Sequence, residues 1–172
     1  MGVFMLHPFR GRHLAALLFC LLFSVGLMPV NTLAANPNHM QVSPQIIQFE
    51  LWDADVDWNP TGNGKIRNLG SNETINLAEL RANGTDKVTV VAVTDPSPTG
   101  SVLFFLDNTP HRVENVVPYA FEGDSGGNLR PWNIQAGNTY VVAAIPYSQS
   151  GTDGTAGARQ ETTLTVIDQP IS

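Results

Sequence analysis

The fold class is indicated by residues 87–106, which read Lys87-Val-Thr-Val-Val-Ala-Val-Thr-Asp-Pro-Ser-Pro-Thr-Gly-Ser-Val-Leu-Phe-Phe-Leu106. β-Branched and aromatic side chains dominate both ends of this stretch, and such residues favour strands. The Asp-Pro-Ser-Pro-Thr-Gly segment between them is typical of a turn. The stretch therefore predicts two strands joined by a turn. The second strand is apolar on both faces, which predicts a central place in its sheet.

Alternating residues precede this stretch at positions 45–52. One face of this segment carries Ile47, Phe49 and Leu51, and the other carries Gln48, Glu50 and Trp52. A period of two predicts a half-buried strand. Residues 53–72 follow as a long polar loop rich in Asp, Asn and Gly.

Further strands are predicted at 74–80, 111–121, 139–145 and 160–167, with a short helical turn as an alternative near 78–80. In the last of them Thr162, Leu164 and Val166 share one face. Residues 123–136 and 148–158 read as loops. About seven short strands without a long helical period predict a β-sandwich or barrel.

From Lys87 onward, the order of three features resembles bacterial immunoglobulin-like modules, including fibronectin-type III-like ones. The features are Gly100-Ser-Val-Leu-Phe-Phe-Leu-Asp107, Pro118-Tyr-Ala-Phe121 and Gly137-Asn-Thr-Tyr-Val-Val-Ala-Ala144. The resemblance implies a single all-β domain, an immunoglobulin-like antiparallel β-sandwich of about seven strands. It also implies a non-catalytic role, because such modules are mostly spacers, adhesive units or carbohydrate-binding companions of enzymes.

Tyr140 stands at the position of the tyrosine corner of such sandwiches, where a ring is buried and its hydroxyl returns to backbone a few residues upstream. Val142 stands two residues later, where disulfide-bearing immunoglobulin domains have a cysteine. This departure is shared with fibronectin-type modules, so it leaves the expected sandwich unchanged.

The N-terminus has the layout of a secretory signal. Arg10, Arg12 and His13 precede the apolar run Leu14–Leu27, and small residues follow up to Ala34. This layout predicts a signal peptide over residues 1–34. A flexible leader at 35–45 and one β-sandwich domain at 46–172 follow from it, and we expect a secreted protein, extracellular or periplasmic, without a membrane anchor after cleavage.

Cleavage after Ala34 changes both the charge and the cysteine content. The nine basic residues fall to seven against fifteen acidic ones, so the net charge of −6 becomes −8. Such a surface repels nucleic acid and argues against it as a partner. The one cysteine, Cys20, leaves with the signal. The mature domain therefore depends on packing and hydrogen bonds and not on a disulfide.

Residues 123–127, Gly-Asp-Ser-Gly-Gly, match the nucleophile loop of chymotrypsin-like proteases. A catalytic serine needs a histidine and an acid placed by the fold. Only His39 and His111 follow the cleavage point, and neither has the expected sequence setting. We therefore interpret the motif as a turn in which glycines adopt positive φ and Asp and Ser bond locally. We expect no catalytic residue and no enzyme.

Three alternating carboxylates, Asp53, Asp55 and Asp57, lie in the long polar loop. Ca²⁺ prefers several oxygen ligands, so the loop is a hypothetical calcium site. The EF-hand pattern fails, since Trp58 stands at its glycine position. The alternative is a solvated turn after a strand.

The three tryptophans, Trp52, Trp58 and Trp132, are predicted ligand-binding residues if their rings are exposed. Trp52 lies on the polar face of its strand, which favours exposure. The alternative is that all three are buried at sheet ends, as tryptophan is on average. The sequence thus leaves two functions open: a secreted, non-catalytic module for adhesion or surface association with an unknown protein or glycan, or a carbohydrate-binding domain with Ca²⁺ as an optional ligand.

Overall fold

The computed structural model describes residues 42–171. Strands dominate this range, with one short helix and one turn of 3-10 helix, Ser150–Thr152. The helix α1 is Leu77–Ala82. The strands are β1 (Gln45–Asp53), β2 (Lys65–Leu69), β3 (Asn72–Asn76), β4 (Val88–Asp95), β5 (Ser101–Leu106), β6 (Thr109–Glu114), β7 (Tyr119–Ala120), β8 (Asp124–Ser125), β9 (Asn128–Leu129), β10 (Thr139–Tyr147) and β11 (Gln160–Ile167).

These strands form two main sheets and one small hairpin. The first sheet has the order β2-β1-β4-β7, the second has the order β3-β11-β10-β5-β6, and β8 pairs with β9. All neighbours are antiparallel except β3, which runs parallel to β11. β1 thus pairs with β4 in the first sheet. The chain then crosses to the second sheet, where β3 lies beside the last strand, β11. This is an immunoglobulin-like β-sandwich, as predicted.

The inner cluster lies between the two sheets and contains apolar side chains from both. Phe104 on β5 is fully buried, and its ring meets Phe121 edge-on at 5.7 Å between centroids. On β11 the predicted face of Thr162, Leu164 and Val166 is buried, so that prediction is confirmed. The inner cluster includes Phe49, Leu51, Val90, Ala92, Val102, Phe104, Phe121, Trp132, Val142 and Leu164.

The predicted orientation of β1 is wrong at one residue. Ile46 is buried, whereas Ile47 is 58% exposed. The cause is a bulge, because Ile46 pairs with Thr94 and Gln48 with Val93. The extra residue reverses which side chain faces inward, and alternation resumes at Phe49.

Strand β2 lies inside the predicted long polar loop, so that prediction is wrong over Lys65–Leu69. β2 pairs antiparallel with β1 at the edge of the first sheet. Only Leu69 is fully buried among its residues, and the guanidinium of Arg67 donates to the Thr74 carbonyl at 2.7 Å. An edge strand needs few apolar residues, which is why its sequence resembles a loop.

Tyr140 and Tyr119 each connect a loop to the sandwich through a hydrogen bond of the side-chain hydroxyl. The Tyr140 hydroxyl accepts the backbone N–H of Gln135 at 3.2 Å, five residues upstream, and its ring packs on Trp132 at 5.0 Å. The predicted tyrosine corner is therefore confirmed. Tyr119 is buried and its hydroxyl donates to the Thr99 carbonyl at 2.5 Å.

The predicted signal peptide at 1–34 and all but the last residues of the leader lie outside the described residues. Val42, Ser43 and Pro44 precede β1 without regular structure. Within 42–171, no helix is long and apolar enough to cross a membrane.

Candidate functional site

The outer face of the first sheet carries a second apolar group, called here the outer cluster. It consists of Trp52, Ala54, Val91, Ala120 and Leu129, with Trp58 packed against it. Val91 lies between Val90 and Ala92, which face the inner cluster, so alternation turns it outward. The outer cluster is therefore separated from the inner cluster by the sheet itself.

Trp52 is the centre of the outer cluster. It is 2% exposed, and its indole N–H donates to Glu50 at 2.9 Å. The same carboxylate accepts from Lys65 at 3.1 Å. The sequence placed Trp52 correctly on the face away from the sandwich interior. The expectation that Trp52 is exposed is wrong, because the residues that follow β1 fold back over its side chain.

Residues 54–64 form the cover loop, which lies over the outer cluster. Its start is held by the N–H of Asp55, which donates to Asp53 at 2.9 Å, and by the N–H of Ala54, which donates to the Lys87 carbonyl at 2.8 Å. Further along, Asn59 accepts the N–H of Thr61 at 3.0 Å. These turn bonds, together with the bond to Lys87, give a polar segment a fixed shape without a sheet.

The carboxylates predicted to bind calcium are engaged by other groups. Asp53 accepts the Thr85 hydroxyl at 2.9 Å, and Asp55 lies 2.8 Å from the Lys87 ammonium. The hydrogen bond from Lys87 lowers the pKa of Asp55, and the same bond raises the pKa of Lys87. Between residues 42 and 171, no group of three or more acidic, histidine or cysteine side chains could hold a metal ion. Asp57 is exposed. Calcium binding remains an untested hypothesis without a formed site in this range.

The protease-like motif is a tight hairpin. Gly126 and Gly127 have φ of 64° and 92°, which only glycine adopts easily in a two-residue turn between strands. The Asp124 carboxylate accepts the Gly127 N–H at 2.7 Å. The interpretation as a turn with positive-φ glycines and a locally bonded Asp124 is therefore confirmed, whereas the predicted local bond of Ser125 is not found within residues 42–171. His111 stacks on Phe121 at 4.2 Å and lies 3.3 Å from Glu122.

Trp58 connects the cover loop to this hairpin. Its backbone N–H donates to the Gly127 carbonyl at 2.8 Å, and its ring is tilted 42° to Trp52 at 6.4 Å. The side chain is partly buried and borders open space on two sides. It is the one predicted tryptophan that combines partial exposure with a cavity on each side.

A trough flanks Trp58 on the outer face of the first sheet. It consists of two cavities of about 400 and about 440 Å³ that share Trp58, Val117 and Pro118. One half is bordered by the cover loop and Lys65, and the other by the hairpin and Val116. Residues that border the trough include Glu50, Trp58, Asn59, Thr61, Lys65, Ser97, Val116, Val117, Pro118 and Asp124.

Trp132 lies elsewhere, at the inner cluster. It is 7% exposed, and its backbone N–H donates to the Val88 carbonyl at 2.7 Å. A separate cavity of about 340 Å³ reaches its edge, beside Leu77, Leu80 and Ile134. The three tryptophans therefore do not share one exposed face. Burial, the alternative left open by the sequence, applies to Trp52 and Trp132.

Comparison with known proteins adds a structural likeness. The chain is similar to fibronectin(III)-like modules of Clostridium thermocellum CbhA, with 16% identity, 58% of this chain and 91% of that chain covered, and a TM-score of 0.35. No protein-family model matches the chain, and no curated protein matches it. The assignment of the sandwich rests on the strand order and pairing described above.

Proposed function

We propose that this protein is an exported, non-catalytic module that acts by binding, through adhesion or association with an extracellular surface. The observation that carries the proposal is the trough at Trp58. It is an open, preformed concavity of mixed polarity on a rigid sheet, which is the usual form of a binding site. The layout of residues 1–34 supports export.

The hydrogen bonding around Ser125 supports a non-catalytic role. Asp124, the acid next to it, is bonded to the turn glycine Gly127, and His111 is paired with Glu122. A nucleophilic serine needs a base within hydrogen-bond reach. The hairpin instead uses its polar groups to hold its own turn and to close the outer cluster.

The proposal is tested by expressing the full chain in an exporting host and measuring two properties of the released protein. We expect saturable cosedimentation with cell envelopes, and no hydrolysis of ester or peptide substrates above the rate of a Ser125→Ala variant. Failure to cosediment at any concentration would remove adhesion. Turnover that is lost in Ser125→Ala would remove the non-catalytic role.

A further inference from the structure

The trough has room on both sides of the Trp58 ring. Its two halves share Trp58, Val117 and Pro118, and they lie beside the cover loop and beside the Gly126–Gly127 turn. Each half, at about 400 Å³ or more, has the size of a small-ligand site. A ligand made of repeated units is the class that can place a unit in each half.

The Trp58 ring is positioned before any ligand arrives. Its backbone is bonded to Gly127 and its ring rests on Trp52. A held side chain loses little conformational freedom on binding, which favours affinity. Aromatic rings at such a place take the apolar face of a flat or chair-shaped unit, while polar groups around them set its orientation.

The charges along the trough leave one carboxylate uncompensated. The Glu50 carboxylate is bonded to the Trp52 indole and paired with Lys65, whereas Asp124 accepts the neutral Gly127 N–H and has no cationic partner within residues 42–171. The uncompensated carboxylate repels an anionic ligand. The electrostatics of the trough therefore favour an uncharged ligand over an anionic one.

The half of the trough beside the cover loop carries hydroxyl groups. Thr61 and Ser97 are exposed there, and the Thr61 hydroxyl donates to Asn59, which leaves its oxygen to accept from a ligand. Hydroxyl groups donate one hydrogen bond and accept others, as the hydroxyls of a sugar do. This match holds for uncharged sugars and not for purely apolar chains.

The floor of the trough, over β1 and β4, is closed to an extended peptide. β1 is paired with β2 and β4, and β4 is paired with β1 and β7, so only β2 and β7 at the borders have an open edge. Addition of a peptide strand requires an unpaired edge. The floor of the trough therefore offers side chains and not backbone groups to a ligand.

From the two cavities, the held ring, the uncompensated Asp124 carboxylate and the hydroxyls, we infer that the trough at Trp58 binds an uncharged oligosaccharide across both of its halves. This inference rests on the proposed function and specifies its ligand class. It assigns the stacking contact to Trp58 alone, and not to Trp52 or Trp132.

The test is calorimetric titration of the full exported chain with cellohexaose, mannohexaose, xylohexaose and chitohexaose, and with an oligogalacturonate as the anionic comparator. We expect saturable binding of at least one neutral hexasaccharide and weaker binding of the oligogalacturonate. Trp58→Ala should weaken binding by about tenfold or more, the range of one lost anchoring contact.

A matched pair of surface variants guards against misfolding of Trp58→Ala. Val116 borders the trough and is 70% exposed, whereas Val42 lies outside it and is 71% exposed. We expect Val116→Arg to abolish or weaken hexasaccharide binding about tenfold, because the long side chain fills one half of the trough, and Val42→Arg to leave it unchanged. Urea midpoints of both variants should equal that of the parent.

Three results would overturn the inference: no binding of any neutral hexasaccharide, stronger binding of the oligogalacturonate, or equal binding by Val116→Arg and Val42→Arg. The cosedimentation assay separates this failure from that of the proposed function. If envelopes still retain the parent and Val116→Arg equally, the adhesive role stands and the glycan trough does not. If envelopes do not retain the parent, the adhesive role falls, and the calorimetric titration alone decides whether the trough binds a glycan.

Discussion

The inner and outer clusters are both apolar, but they are covered by different kinds of structure. The inner cluster is closed by two hydrogen-bonded sheets, whereas the outer cluster is closed by the cover loop and the β8–β9 hairpin. Sheets interdigitate side chains at close spacing. A loop held by a few hydrogen bonds leaves gaps beside its side chains, and the trough at Trp58 is such a gap. We expect the inner cluster, which is covered more completely, to contribute most of the stability. The outer cluster, which is covered less completely, borders the surface proposed to bind.

The strongest test of this difference is the pair of neighbours Phe104 and Phe105. Phe104 is fully buried in the inner cluster, whereas Phe105 is half-buried on the other face beneath the Arg159 guanidinium. Phe104→Ala should lower the free energy of unfolding by about 4 kcal/mol, through lost transfer energy and a cavity that the sheets cannot close. Urea denaturation measures it. Phe105→Ala should cost less than half as much, and equal losses would contradict the assigned faces.

Trp52→Ala compares the outer cluster directly with the inner one. Tryptophan is larger than phenylalanine, yet we expect a loss of about 3 kcal/mol, smaller than at Phe104, because the cover loop can relax onto the space. Urea denaturation gives the loss, and limited proteolysis should show new cleavage within residues 54–64. A loss above that of Phe104→Ala, with the cover loop still resistant, would mean that the outer cluster is packed as rigidly as the inner one.

Tyr119 adds a pH-dependent contribution to the stability of the inner cluster. Tyr119→Phe should lower the free energy of unfolding by about 1–2 kcal/mol at pH 7, because the buried Thr99 carbonyl loses its donor. Burial raises the pKa of Tyr119 above that of the unfolded chain. This contribution is therefore complete below about pH 10, the usual tyrosine pKa, and declines as the pH rises further.

The check for Tyr119 is a series of urea titrations from neutral to alkaline pH. The difference between the parent and Tyr119→Phe should narrow above about pH 10. Tyr147→Phe is the matched control, since the Tyr147 side chain is half-buried and its hydroxyl makes no hydrogen bond within residues 42–171. A constant difference at all pH values would rule out the assigned titration.

The smallest effect on the free energy of unfolding is expected at the surface ion pair between Asp55, in the cover loop, and Lys87. Both side chains are about half exposed, and such pairs contribute little. Lys87→Met should leave the urea midpoint unchanged within error at neutral pH and in high salt. The lowered pKa of Asp55 means that any contribution is present at neutral pH and disappears on acidification. A large, salt-sensitive loss would show that this pair anchors the cover loop.

The comparison also explains which features could be predicted. The inner face of β11 and the corner at Tyr140 follow from alternation and turn chemistry, which are local. The turn at Gly126–Gly127 could be predicted for the same reason. The bulge at Ile47 could not, because it depends on how β1 registers against β4.

The candidate site was only partly predictable. The face of Trp52 follows from the period of β1, but its burial depends on a polar segment returning over it. β2 was missed because its residues, Lys-Ile-Arg-Asn-Leu, lack an apolar pattern and pair only through contact with β1. Val117 and Pro118 directly precede β7, at the edge of the sheet opposite β2, and no local sequence signal links them to Trp58.

The sequence by itself determined an all-β sandwich with an apolar interior, since strand period, turn residues and the tyrosine corner are encoded within a few neighbouring positions. It also determined that Trp52 faces away from that interior. Only the tertiary structure decided that Trp52 is covered, that Asp53 and Asp55 have protein partners, and that Trp58 lies in a trough. The physical reason is that such contacts join residues distant in the chain, and their geometry depends on the register and closure of the whole sheet.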